Sequence, residues 1–212
     1  LFTVELLNPA ASNKFQNVVY DRLAERYDRL MAPLERGFLQ RWRREALGYL
    51  PNDSLVLEVG AGTGANFSNY PPARQAIATE PAAAMIDLAR SRAHGQELVQ
   101  ASVEALPFAS GTFDAAFATL VFCSVSSPSE GLSELRRVLK IGGKLMLLEH
   151  VRPPGILGYA FDVFNIVSKA LIDDCFNRRT AELVRSSGFE IVRLETKVFG
   201  AVNLIVAVSS EQ

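Results

Sequence analysis

The sequence predicts an α/β fold: a seven-stranded, mostly parallel sheet with helices on both faces and an antiparallel C-terminal strand. Three observations carry this. Short apolar runs (55–59, 75–79, 97–101, 113–122) alternate with longer stretches of helical period. The first run breaks into Gly60, Gly62 and Gly64, a turn of the kind that follows a parallel strand where open α/β sheets bind nucleotide-like ligands. The last two runs, 189–195 and 198–208, have no helical stretch between them and read as a hairpin.

At 212 residues and 49% hydrophobic content, the chain fits one domain with a full core. Net charge is −1 and the basic residues are dispersed, so no nucleic-acid footprint is expected. The densest cationic run, Arg41-Trp42-Arg43-Arg44, reads as a solvated helix face. Cys123 and Cys175 lie far apart without metal-ligand spacing, so neither a metal nor a disulfide framework is expected and a reduced cytoplasmic setting is the default. No signal-peptide pattern and no run of 18 apolar residues is seen; the chain opens at Leu1 rather than Met, which leaves room for a removed extension.

The glycine loop differs from a dinucleotide fingerprint. Its order is Glu58-Val59-Gly60-Ala61-Gly62-Thr63-Gly64, with an acid two places before the first glycine. A carboxylate there opposes a pyrophosphate and suits a ligand with an ammonium group. The loop resembles motif I of the class I methyltransferases that use S-adenosylmethionine (SAM), and the resemblance covers roughly Tyr20 to Val208. It implies a Rossmann-like class I methyltransferase fold, SAM as cofactor and S-adenosylhomocysteine as product. Glu58, Gly60, Ala61, Gly62 and Gly64 are then cofactor-binding residues.

Residues 1–50 read as an N-terminal helical lid, with a helix from Asn13 to about Tyr49 interrupted near Pro33 and Gly37. Tyr20 and Tyr27 are seven apart, share a face and are each followed by Asp. They either close over the cofactor and exclude water or pack an amphipathic helix on the sheet. Residues 51–152 form the cofactor-binding core. Strand one, 55–59, leads through the loop to a helix starting near Asn66. Strand two ends at Glu80, placed where a carboxylate takes both ribose hydroxyls, and Pro81 opens the next helix. Met85 packs on an adenine or fills core.

After strand three come Ser102-Val103-Glu104-Ala105-Leu106-Pro107-Phe108, where related enzymes often begin with Asp. Ser102 is a weaker acceptor for an adenine amino group, leaving more of the recognition to the main chain of Val103 beside Glu104. Strand four ends in Thr119-Leu120-Val121-Phe122-Cys123-Ser124, opposite the glycine loop. Thr119 and Leu120 are assigned to the cofactor, Phe122 and Cys123 to the acceptor, although a lone cysteine also serves as a small buried hydrophobe.

A helix over 130–139 ends at Gly142-Gly143, which turns the chain into strand five and out at Glu149-His150. This resembles the second signature of the ubiquinone/menaquinone C-methyltransferases. His150 with Glu149 is the catalytic pair if the acceptor must lose a proton; an orienting hydrogen bond is the alternative. Residues 153–179 read as an apolar cap whose Phe161 and Phe164 face a lipophilic acceptor or a bilayer surface, or pack in the core. Residues 180–212 supply a last helix and the hairpin.

Thr119 to Val125, Glu149-His150-Val151 and Asp174 to Thr180 look like the methyltransferase-like proteins that S-methylate alkyl thiols. The resemblance therefore implies a small-molecule methyltransferase acting on a lipophilic thiol, quinol or phospholipid amine, in the cytoplasm or at a membrane surface. A nicotinamide oxidoreductase and an inactive SAM-binding partner subunit are the rivals. Oligomeric state is not legible.

Overall fold

A computed structural model describes residues 14–73, 75–172, 175 and 177–210, with side chains at 14–19, 160, 164 and 166–172 outside the description. The assignment of Phe164 to an acceptor falls among those side chains.

The sheet runs in the order β3-β2-β1-β4-β5-β7-β6, built from β1 (Leu55–Val59), β2 (Gln75–Thr79), β3 (Gln96–Val99), β4 (Phe113–Thr119), β5 (Leu139–His150), β6 (Phe189–Lys197) and β7 (Val202–Ser209). All pairs are parallel except those of β7, which runs antiparallel between β5 and β6. The seven-stranded α/β architecture expected from the sequence is the one observed.

Strand alternation divides the core into two layers. Leu55, Leu57 and Val59 face Leu132, Leu135 and Val138 of the helix Pro128–Val138. Val56, Ala115 and Phe117 face Ala46 and Leu47 of the helix Gln40–Leu47. We number the helices α1 (Lys14–Leu34), α2 (Gln40–Leu47), α3 (Ala83–Arg90), α4 (Pro128–Val138), α5 (Gly155–Ile172) and α6 (Thr180–Ser186).

The expected interruption of the N-terminal helix takes a specific form, and three other local expectations are corrected. The long N-terminal helix contains a π turn at Glu35–Leu39, holding Gly37, just after Pro33 in the last turn of α1; a missing N–H and a side-chain-free residue make that register change cheap. No α-helix starts at Asn66: only a 3₁₀ turn, Phe67–Asn69, follows the glycine loop. The Asn66 side chain is engaged with Glu58 and Thr119, and Pro71-Pro72 follow too closely for a helix to propagate. Strand four stops at Thr119 because Leu120 takes a left-handed conformation (φ 59°). Gly142-Gly143 does not end α4; it lies inside β5, where the pairing jumps from Phe113↔Leu139 to Ala115↔Lys144.

Candidate active site

The turn after β1 is shaped by what a side chain would strike. Gly60 has φ 66°, and a Cβ there would lie 2.5 Å from Val121 Cγ2. A Cβ at Gly64 would lie 2.7 Å from the Phe67 ring. The turn is pinned to β2 by the Ala61 amide, which donates to the Thr79 carbonyl at 2.9 Å.

Glu80, at the end of β2, holds the turn from the other side. Its Oε2 accepts the Gly62 N–H at 2.9 Å and its Oε1 accepts the Ala82 N–H at 2.9 Å. Burial pushes its pKa up to about 7; the two amides act against that rise, while Glu58 and Asp21 add to it. The acid predicted to take the ribose hydroxyls is thus fixed in orientation by the backbone of the glycine loop itself.

These groups line one cavity. Gly60, Ala61 and Gly62 form one wall; Glu80, Pro81 and Met85 another; Ser102, Val103 and Glu104 a third. Thr119 and Leu120 close the sheet side, and Tyr20 and Tyr27 of α1 cover the top. The two tyrosine rings meet edge to face, with centroids 6.3 Å apart. The aspartates that follow them latch the helix: Asp21 accepts the Ala84 N–H at the start of α3 (2.9 Å), and Asp28 accepts the Thr63 hydroxyl in the glycine loop (2.6 Å) and pairs with Arg92.

Two predicted cofactor residues lie off the cavity. Gly64 sits behind the loop against Phe67. Glu58 is fully buried beneath it, accepting hydrogen bonds from Asn66 Nδ2 (2.5 Å) and the Tyr70 hydroxyl. Burial raises the Glu58 pKa against those two bonds and the nearby Arg43 charge, and raises that of Tyr70 as well. Neither the Glu149 nor the His150 side chain lines the cavity either. Glu149 is buried under the chain leaving β4, its oxygens accepting the Val121 (3.0 Å) and Phe122 (3.1 Å) amides; burial pushes its pKa up to about 7 against those bonds and the charges of Arg178 and Arg43. His150 is half-buried beside Ala201, and burial lowers its pKa.

Phe122 is a core residue, and Cys123 is buried with its thiol 3.6 Å from the Leu120 carbonyl. Phe161 is half-buried on α5, away from the cavity lining.

Arg43 was hidden in a run read as solvated. It is buried, lines the cavity, and donates to Asn66 Oδ1 (3.2 Å), to the Thr119 hydroxyl and to Glu35 Oε1 (2.8 Å). The signal was spacing: Leu39, Arg43, Ala46, Leu47 and Leu50 form one apolar stripe, and a cation inside it needs buried partners. Thr63, Ala65, Val121, Ser124 and Val125 also line the cavity and carried no separate sequence signal.

The donor set fits SAM. Glu80 suits a ribose diol, Arg43 a carboxylate, and Met85 with Val103 the faces of an adenine. Among the described lining residues Arg43 is the one cation, which is poor provision for a pyrophosphate.

Residues 57–147 match the family model described as "Methyltransferase domain". The human thiol S-methyltransferase TMT1B is 35% identical over 150 residues, 66% of this chain and 62% of that protein, so the chain spans less than two thirds of this relative. The ubiquinone/menaquinone biosynthesis C-methyltransferase UbiE of Pseudomonas savastanoi is 30% identical over 199 residues, 84% of this chain and 78% of that protein. A Thermotoga maritima SAM-dependent methyltransferase, described as a possible histamine N-methyltransferase, superposes with a TM-score of 0.73 at 24% identity, covering 91% of this chain and 99% of that one.

Proposed function

The chain belongs to the class I SAM-dependent methyltransferase family, and on that premise we propose that it transfers the methyl group of SAM to a small lipophilic thiol. The observation that carries the choice of acceptor is the chemistry of the lining. Tyr20, Tyr27, Arg43, Glu80 and Glu104 are its titratable groups among the described residues, and Glu149 and His150 stand outside it. Both carboxylates are already engaged, Glu80 by the Gly62 and Ala82 amides and Glu104 by the Ser102 hydroxyl and the Ser127 amide; an acceptor carbon or phenol needs an uncommitted base, whereas a thiol ionises partly on its own near neutral pH.

Bound SAM would supply a sulfonium methyl carbon, to which the acceptor would bond in line as the carbon–sulfur bond breaks and S-adenosylhomocysteine leaves. The protein's part is position, an effect worth about 7–11 kcal/mol of barrier. Glu80 and the glycine-loop backbone hold the nucleoside, Arg43 the amino-acid carboxylate, and Tyr20 with Tyr27 keep water from the reacting atoms. Glu149 positions the Val121 and Phe122 amides, and through them the wall facing the acceptor. We place the enzyme in the cytoplasm, meeting membranes where its acceptor partitions.

The test is incubation with radiolabelled SAM and parallel panels of alkyl thiols, quinols and phospholipid amines. Label is expected in the thiols. Turnover of quinols alone would move the reading to carbon methylation, and SAM binding without turnover on any panel would make the chain a non-catalytic subunit. Calorimetry with SAM and with NADH checks the cofactor independently.

A further inference from the structure

Beside the β6–β7 edge, at the end of the sheet where the parallel strands finish, the described residues leave several apolar side chains exposed. Ile156, Tyr159 and Val163 fall at helical spacing on one face of α5 and are 88%, 70% and 65% exposed. Among the described residues no side chain of α5 joins a buried apolar cluster. Beside α5, the turn between β6 and β7 presents Phe199 at 90% exposure. Val198 and Phe199 both hold left-handed backbone, φ 51° and 53°, a costly state for a β-branched residue and for an aromatic one. The turn is seated firmly: a Cβ on Gly200 would lie 2.6 Å from Pro154 Cδ, so the Phe199 tip abuts the start of α5.

The surface between them is basic. A groove of about 490 Å³ runs from Phe199 and Pro154 past Arg152, Arg178, Arg179 and Arg185, with Glu182 as the one acid among its lining residues. Arg152 pairs with Asp162 and lies 5.5 Å over the Tyr159 ring, which joins the groove to the apolar face. Arg179 pairs with Glu182 only at 3.5 Å, with both side chains largely exposed. Arg178 lines the groove while donating to the Val125 carbonyl at 2.6 Å, and Val125 lines the cofactor cavity.

We propose that this end of the molecule docks on an anionic phospholipid bilayer, with Ile156, Tyr159, Val163 and Phe199 entering the acyl boundary and Arg179 and Arg185 meeting the headgroups. The combination of exposed apolar tips and a cationic rim is complementary to a headgroup layer over hydrocarbon. No helix among the described residues is long and apolar enough to cross a membrane, so α5 lies along the surface. Docking there sets the Arg178 partition, and the cofactor cavity behind it, toward the phase in which a lipophilic acceptor dissolves. The surface goes beyond the methyl-transfer reading and stands whichever acceptor is used.

Flotation of the full chain with phosphatidylcholine vesicles, with and without phosphatidylglycerol, tests this without requiring turnover. The protein is expected to float with the anionic vesicles, less well with neutral ones and less well in high salt. Phe199→Ser with Tyr159→Ser is expected to lower partitioning at least about tenfold. Arg179→Gln and Arg185→Gln are each expected to lower it about fivefold on anionic vesicles alone. Ile156→Ser serves as a second apolar variant, and calorimetry with SAM on every variant confirms an intact fold. Absence of flotation, or flotation undiminished in the apolar variants, would overturn the proposal. So would a dimer that dissociates on Phe199→Ser without vesicle binding, since the face would then join two copies of the chain.

Discussion

The guanidinium of Arg43 donates to the hydroxyl of Thr119, joining α2 to the last residue of β4 across 76 positions of sequence. Asn66 bonds both residues and Glu58 as well, so helix, glycine turn and two central strands meet in one buried polar cluster. The cluster forms the floor of the cofactor cavity, and its one positive charge is the group facing the cofactor's carboxylate in our assignment.

Arg43→Ala should therefore be costly twice over. It strips Thr119, Asn66 and Glu35 of a donor, and the expected loss of stability is about 3 kcal/mol, at the low end for a broken buried pair because Glu35 is a quarter exposed. SAM affinity should fall at least about tenfold, since a charge-assisted contact of about 1.5–3 kcal/mol is lost. Arg43→Lys should recover part of the affinity and less of the stability, because an ammonium cannot serve three partners in the guanidinium's planar geometry. Chemical denaturation and calorimetry with SAM measure the two effects separately.

Glu80 makes stability and binding respond to pH with opposite signs. Its folded pKa, about 7, stands above the ordinary 4.5, so between those values the native state keeps a proton that the unfolded chain has lost. Stability of the ligand-free protein should then fall as pH rises through that window, by roughly 3 kcal/mol at full effect, and Glu149 adds the same sign. A ribose diol held by Glu80, as we propose, would donate to the carboxylate, so SAM affinity should instead rise with pH up to about 7. Glu80→Gln should flatten the affinity profile, weakening binding most at and above pH 7 and least at low pH, where the wild-type side chain is already neutral. Calorimetry across the range, beside urea midpoints without ligand, shows whether the two slopes diverge.

The lid predicts an unequal pair of effects. Asp21→Ala leaves the Ala84 amide of α3 without its acceptor and should cost about 0.5–2 kcal/mol, as loss of a helix cap does. Arg92→Ala removes an ion pair whose partners are both about 40% exposed, so its cost should stay under about 1 kcal/mol. Faster SAM dissociation is expected for Asp21→Ala, with faster hydrogen exchange over α1. Equal dissociation rates in the two variants would detach the Asp21 contact from cofactor retention.

What could be read from sequence followed how local each signal was. Strands β1 and β2 and the hairpin carry their own periodicity and turn residues, and Glu80 is placed by chain distance from Gly60. Thirteen of the residues assigned to the cofactor line the cavity, because the glycine turn and the ends of β2, β3 and β4 position most of them, with Tyr20 and Tyr27 added from α1 and Met85 from α3. Arg43, Glu58 and Glu149 were misplaced for the opposite reason. Each is a buried charge whose partners lie on other elements, and chain position alone did not tell a side chain that faces the cavity from one turned beneath its wall. The helix expected at Asn66 failed similarly, since its first side chain is drawn into that polar cluster.

Gly60 offers the strictest test of the turn. Alanine there meets two separate obstacles: the left-handed backbone, costing about 1–2 kcal/mol for a residue with a Cβ, and the Val121 side chain 2.5 Å from the new atom. Val121→Ala removes the two methyl carbons and so relieves most of the second obstacle, keeps the Val121 Cβ at 3.1 Å, and leaves the first untouched. The double variant should therefore be more stable than the sum of the two single changes implies, while still falling short of the wild type. Since Val121 also lines the cavity and its amide is held by Glu149, SAM binding should recover less than stability does. A double-mutant cycle by urea denaturation would show this coupling; strict additivity would mean that the turn shifts as a body away from Val121 and that the close approach does not constrain it.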